Sequence, residues 1–192
     1  VVKLVGMLSG IEGIRDLSMT TNGIFLKDYA GDLAEAGLDR VNVSLDTLDP
    51  EKYSKITHGG DLLKVLEGLE MAQKEGLSPV KINTVIHSYF TDNDRRDLED
   101  FCNRNGLELR FIREMDLNKG TFSKVEGGSG GDCKNCNRLR LTSDGRLKPC
   151  LFSNMGFDIR KEGIAKAFEF ALNKKPRRGS INNTCAFYRM GG

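Results

Sequence analysis

The chain has 192 residues, 39% of them hydrophobic and 29% charged, with a formal net charge of +2. That length can bury one core of ordinary size, and so small a net charge gives no electrostatic reason to expect nucleic acid or a membrane as partner. No apolar run approaches the roughly 18 residues of a membrane span, no secretory signal opens the chain, and five cysteines without a regular framework argue against a secreted disulfide scaffold. A cytoplasmic, metal-binding use of the cysteines is expected instead.

Val1, Leu4, Val5 and Leu8 already follow helical spacing. The chain therefore reads as beginning inside an element, as a fragment would. A helix to about Ser9 is expected, then a strand over Arg15 to Thr21 that runs into Asn22-Gly23. Leu26, Tyr29, Leu33 and Ala36 mark a helix stopped by Gly37. Residues 40–46 (Arg-Val-Asn-Val-Ser-Leu-Asp) read as a second strand, and Leu62, Leu66, Leu69 and Ala72 as the next helix. A third strand is expected over 80–86. Thr91 with Asp94 three residues later makes a helix start, with Leu98, Phe101 and Cys102 facing inward, and a fourth strand runs from Glu108 to Met115. Strands alternating with helices mean parallel β/α units. The fold expected is α/β, an incomplete (β/α) barrel over residues 1–118, followed by a C-terminal segment over 119–192.

Polar residues gather at the strand ends or on one strand face. Thr20, Thr21 and Asn22 close the first strand, Ser44 and Asp46 the second, and Lys81 and Asn83 share a face opposite to Ile82 and Thr84. Any one of these could be turn or capping chemistry. Together they suggest a shared cleft, because parallel α/β folds carry their sites at the C-terminal ends of strands.

Residues 126–132 (Glu-Gly-Gly-Ser-Gly-Gly-Asp) read as a flexible loop. Cys133 and Cys136 follow with two residues between them, and Cys150 comes after thirteen more. Between them Arg138-Leu-Arg-Leu-Thr alternates and Ser143-Asp-Gly is a turn signal, so a hairpin would bring Cys150 back beside the first pair. Structural zinc takes four protein ligands, and the nearest fourth candidate is Cys185, with His58 and His87 far upstream. A 4Fe–4S cluster is usually held by four cysteines, so three would leave one iron open. Ligand rules alone leave zinc and iron–sulfur both standing. Arg138 and Arg140, two apart on the expected strand, would leave the same face, and guanidinium forks suit phosphate or carboxylate. Beyond, Ile164, Phe168 and Leu172 mark a helix around residues 160–173, before a basic tail ending in Gly191-Gly192.

At these residues the chain resembles a known family. Cys133-x-x-Cys136-Asn-Arg-Leu-Arg-Leu-Thr, then Asp-Gly, then Lys-Pro-Cys150-Leu-Phe, is similar to the C-terminal cluster motif of the GTP 3′,8-cyclases. These radical S-adenosylmethionine (SAM) enzymes open molybdenum cofactor biosynthesis. The resemblance implies a lyase-type cyclisation of GTP to 3′,8-cyclo-7,8-dihydro-GTP. It implies a 4Fe–4S cluster on Cys133, Cys136 and Cys150, SAM contacts at Ser44 and Met115, and GTP contacts at Thr20, Lys81, Arg110, Arg138, Leu139 and Arg140. It names no catalytic residue. A second, N-terminal 4Fe–4S cluster is implied for the full-length protein, but its Cys-x-x-x-Cys-x-x-Cys motif is not among these residues. The fragment alone is therefore expected to be inactive. The expected partner is GTP, with a homodimer compatible and neither nucleic acid nor membrane involved. The terminal Gly191-Gly192 is similar to a family tail that reaches the active site. The family usually has a longer insert than Asp116 to Asp132 ahead of its cluster motif. Two other readings compete: a peptide maturase with an auxiliary cluster, and a zinc-stabilised module without catalysis.

Overall fold

The computed structural model describes residues 1–184, and the chain divides into two compact units, the first spanning Val1–Ile112 and the second starting at Arg113. Helix α1 (Val2–Ser9) precedes strand β1 (Ser18–Thr21), then come α2 (Leu26–Glu35), β2 (Arg40–Ser44), α3 (Pro50–Ile56), α4 (Leu62–Lys74), β3 (Lys81–Ile86), α5 (Asp92–Asn105) and β4 (Glu108–Arg113). The four strands form one sheet in the order β1-β2-β3-β4, with β1 and β3 each parallel to β2. This is the α/β alternation expected, and the described strands make an open sheet.

One face of the sheet is apolar because its alternate residues are. Val41, Val43, Leu45 and Ile82 are fully buried against Leu26, Ala30 and Leu33 of α2, Val65, Leu69 and Ala72 of α4, and Leu98 and Cys102 of α5. Leu4 and Met7 of α1, by contrast, are exposed, and only Val5 of that helix is buried. The start of α5 is a full capping box, with Thr91 accepting from the Asp94 backbone N–H and Asp94 accepting from that of Thr91. Helix α3 lies within a stretch to which no element had been assigned. Its signal is local: Asp49 caps it, accepting from the backbone N–H of Glu51 (2.9 Å) and Lys52 (3.0 Å), and Pro50 takes the first helical position.

The second unit has a three-stranded antiparallel sheet, β5 (Arg140–Leu141), β6 (Arg146–Lys148) and β7 (Phe157–Asp158), followed by α6 (Ile159–Glu162) and α7 (Ile164–Asn173). The hairpin between Cys136 and Cys150 is present, but β5 starts at Arg140, so Arg138 stands outside the strand on which it was expected. The single helix expected around 160–173 is two, because Gly163 (φ 81°, ψ 150°) breaks it. The inward face of α7 also differs. Ala167 and Ala171 are buried against Leu147, whereas Ile164, Phe168 and Leu172 are exposed. A small sheet leaves room for alanines to approach closely, so the larger stripe turns outward.

The glycine-rich stretch is a folded turn rather than an open linker. Val125 donates its backbone N–H to the Gly130 carbonyl at 2.8 Å. Gly131 has φ +75°, and a Cβ there would fall 2.1 Å from the Ser123 carbonyl oxygen. Only glycine fits both the conformation and the space.

Candidate functional site

In the first unit, the sheet face opposite the apolar core is polar. Residues paired across parallel strands share a face, so the registers Thr20–Asn42, Asn42–Lys81 and Ser44–Asn83 put these five side chains on one surface. Lys81 forms an ion pair with Glu108 of β4, which brings Glu108 to that surface, and alternation along β4 adds Arg110. Thr20, Ser44, Lys81 and Arg110, all nominated from the sequence, thus share one face of one sheet. Asn83 was grouped there with Lys81, but Asn42 was missed. Its signal was available, since it alternates with Ser44 in Arg40-Val-Asn-Val-Ser.

Two buried acceptors on this face lack partners. Asn42 is 8% exposed, its amide donates weakly to Thr20 Oγ1 at 3.5 Å, and its Oδ1 is buried without a hydrogen bond, as is Oδ1 of Asn83. Such an atom costs free energy unless something donates to it. A bound molecule with N–H or O–H groups would supply what the protein does not. Near the same strand ends, Asp46 accepts from the Val85 backbone N–H at 2.7 Å, and burial holds its carboxyl above the ordinary range. The Nε2 atom of His87 is also buried without a partner.

A polar network pins these strand ends. Thr47 donates to Asp94 Oδ1 at 2.7 Å, and Lys52 and Thr91 both donate to Asp94 Oδ2. Burial alone would raise the Asp94 carboxyl, but the Lys52, Thr91 and Thr47 hydrogen bonds outweigh it and hold it well below the usual carboxylate range. The loop after β2 is thereby tied to the first turn of α5.

In the second unit, Cys133 opens a short 3-10 turn, Cys133–Asn135, and Cys136 follows with its backbone N–H directed at the Cys133 carbonyl (3.4 Å). Cys150 follows Pro149 just after β6. Burial would raise the Cys136 thiol, but the Arg138 N–H and the charges of Lys175 and Arg138 bring it below its ordinary value. Burial keeps Cys150 raised, and the charges of Cys133 and Cys136 add to that. Gly179 packs directly on Cys150, where a Cβ would fall 3.2 Å from the sulfur and 2.6 Å from Phe152 Cβ. Cys102 is different: it is a core thiol, pushed up to about 11 by burial. Cys185 and Gly191-Gly192 lie outside the described residues.

Among the described residues, no three ligand-type side chains are gathered closely enough for a single metal ion. Zinc with Zn–S bonds of about 2.3 Å would need tetrahedral thiolates about 3.8 Å apart. A four-iron cube instead spreads its cysteines over its corners. The donor set suits an iron–sulfur cluster by its chemistry: three soft cysteine sulfurs would hold such a cluster and leave one iron without a cysteine ligand.

The arginines beside this motif are not equivalent. Arg138 is exposed, and its Nη2 donates to Ser129 Oγ at 2.7 Å. Arg140 is half-buried, and burial first, then the charge of Arg138, lowers its pKa, while the thiols of Cys150 and Cys136 act in the opposite direction. Leu139 packs against the small core of Leu147, Ala167 and Ala171. Met115 is half-buried in the second unit, two positions beyond β4.

Comparison with known proteins assigns both parts. Residues 1–102 match the model of the Radical SAM superfamily, and residues 112–180 match that of Molybdenum Cofactor Synthesis C. The class is thus a radical SAM enzyme with a molybdenum-cofactor-synthesis C-terminal domain. The chain is 35% identical to the GTP 3′,8-cyclase of Alkaliphilus oremlandii (strain OhILAs), covering 94% of this chain and 72% of the relative. It is 36% identical to that of Peptoclostridium acidaminophilum, covering 95% and 71%, and 35% identical to that of Alkaliphilus metalliredigens (strain QYMF), covering 93% and 71%. The chain belongs to the GTP 3′,8-cyclase family.

Proposed function

We propose that this chain provides the substrate-binding machinery of a GTP 3′,8-cyclase, acting at the first step of molybdenum cofactor biosynthesis in the cytoplasm. The observation that carries this reading is the polar sheet face, where Thr20, Ser44, Lys81 and Arg110 stand beside the unpartnered oxygens of Asn42 and Asn83. A sheet that buries one face and leaves cations and orphaned acceptors on the other is suited to a polar, phosphate-bearing ligand. In this reading Thr20, Lys81 and Arg110 contact GTP, as do Arg138, Leu139 and Arg140, while Ser44 and Met115 contact SAM. The charges of Lys81 and Arg110 hold phosphate oxygens, and the asparagine oxygens accept from ribose or base donors.

Cys133, Cys136 and Cys150 would hold a 4Fe–4S cluster, which when bound offers an iron not ligated by cysteine to a nitrogen or oxygen of the substrate. The chain's own contribution there is orientation. Arg140, partly desolvated, offers a fixed fork, and Leu139 anchors that backbone in the small core. A second 4Fe–4S cluster, held by cysteines outside these 192 residues, would cleave SAM reductively. GTP is the expected partner and a homodimer is compatible with the reading.

Calorimetry on the cluster-loaded chain tests it. GTP should bind, and guanosine, lacking the phosphates, should bind at least about tenfold more weakly, the effect of losing one charge-assisted contact. Equal binding of GTP and guanosine, or none of either, overturns the reading.

A further inference from the structure

The side chain of Lys175, just past the end of α7, makes three contacts around the cysteine motif. Its Nζ lies 2.6 Å from the Arg138 carbonyl oxygen, 2.9 Å from the Pro149 carbonyl oxygen and 3.7 Å from Cys136 Sγ. An ammonium has three donors, and all three are directed at this motif, none at a carboxylate. The two carbonyls belong to separate segments, one following Cys136 and the other immediately preceding Cys150. Fixing a lysine side chain costs up to about 2 kcal/mol of rotamer entropy, so an arrangement this specific needs a return. Hydrogen bonds to two carbonyls supply part of it, and an ammonium beside the Cys136 sulfur supplies more.

We propose that Lys175 is a positioning residue for the cluster. It clamps the segment after Cys136 to the one before Cys150, and it sets a fixed positive charge against the cluster's sulfur. The inference rests on the cluster reading above and goes beyond it, because Lys175 is neither a ligand nor among the nominated substrate contacts. Its second consequence is electronic. Cluster potentials respond to net charge and to hydrogen bonds to sulfur. One-electron reduction adds a negative charge, which a neighbouring ammonium stabilises. Arg138 and Arg140 also carry charge near the motif, but among the described residues Lys175 is the charged side chain with a hydrogen bond to a cysteine sulfur.

The test uses the whole chain, reconstituted anaerobically with ferrous iron and sulfide, as parent, Lys175→Met, Lys175→Gln and Lys175→Arg. Two readouts are taken: iron and sulfide per chain after gel filtration, and the reduced fraction in a dithionite-poised redox titration followed by electron paramagnetic resonance. Lys175→Met should retain less than half the parent's iron. Lys175→Gln, which keeps hydrogen-bonding groups but not the charge, should show a reduced-to-oxidised ratio about tenfold lower at the parent's midpoint, the effect of one charge-assisted bond. Lys175→Arg should restore both. Should Lys175→Met prove unfolded by circular dichroism, the Gln and Arg variants decide. Met and Gln variants with the parent's iron content and titration curve overturn the clamp and leave the cluster reading standing. A parent that takes up no iron overturns both.

Discussion

In the proposed reading, asparagine and lysine side chains on the polar sheet face are the groups that meet the ligand. Lys81 has Glu108 as counter-ion, so an incoming phosphate must compete with a carboxylate that is half exposed and can swing away. Replacing Lys81 with Ala should therefore weaken GTP about tenfold, near the lower end of what one charged hydrogen bond contributes. Arg140→Ala should weaken it more, up to about a hundredfold, because its partial burial removes the competing water. Calorimetry on cluster-loaded variants checks both, and iron content should stay at the parent level because neither residue is a ligand. Asp94 makes a separate prediction about pH. Its folded pKa lies below the unfolded value of about 3.9. The stability it contributes is therefore complete above about pH 4 and is lost as pH falls through the folded value. Asp94→Asn should cost about 2 kcal/mol at pH 7, less than a fully buried pair because Lys52 is partly solvated. Urea unfolding at pH 7 and pH 3 should show the gap between variant and parent narrowing in acid.

At the scale of elements, the sequence was legible wherever one face of an element is buried in a large core. Strands β2 and β3 alternate in polarity because α2, α4 and α5 pack on their apolar face, and that same alternation placed Lys81 with Asn83. Helix α3 escaped because its signal is a cap rather than a stripe, with Tyr53 its one buried residue. Asp49→Ala should destabilise the protein by about 1 kcal/mol, measured by thermal unfolding. In the second unit the pattern misleads for a physical reason: three short strands offer too little apolar surface to bury Ile164, Phe168 and Leu172. Arg138 was legible as a neighbour of the cysteines but not as a residue outside β5, since the turn at Cys136 leaves no mark on the Arg-Leu-Arg alternation. Lys175 had no readable signal, because its acceptors are carbonyls distant in sequence. Gly131→Ala should lower the thermal stability of the second unit, because the new methyl would meet the Ser123 carbonyl in a backbone conformation that alanine disfavours.

For the whole molecule, family membership and structure give complementary halves of one account. The relatives' names identify a GTP cyclase family, and the chain spans 72% of the Alkaliphilus oremlandii relative. The structure contributes a sheet with one polar face and a second unit in which Lys175 reaches Cys136 close to the half-buried Arg140. The central claim is that Cys133, Cys136 and Cys150 carry a four-iron cluster rather than a zinc ion. Iron, acid-labile sulfide and zinc per chain, measured after anaerobic reconstitution, test it most directly. The account predicts a brown protein whose iron and sulfide are equal and are lost when Cys133, Cys136 or Cys150 is replaced by Ala. A colourless protein holding one zinc ion, or a cluster indifferent to those three replacements, would contradict it.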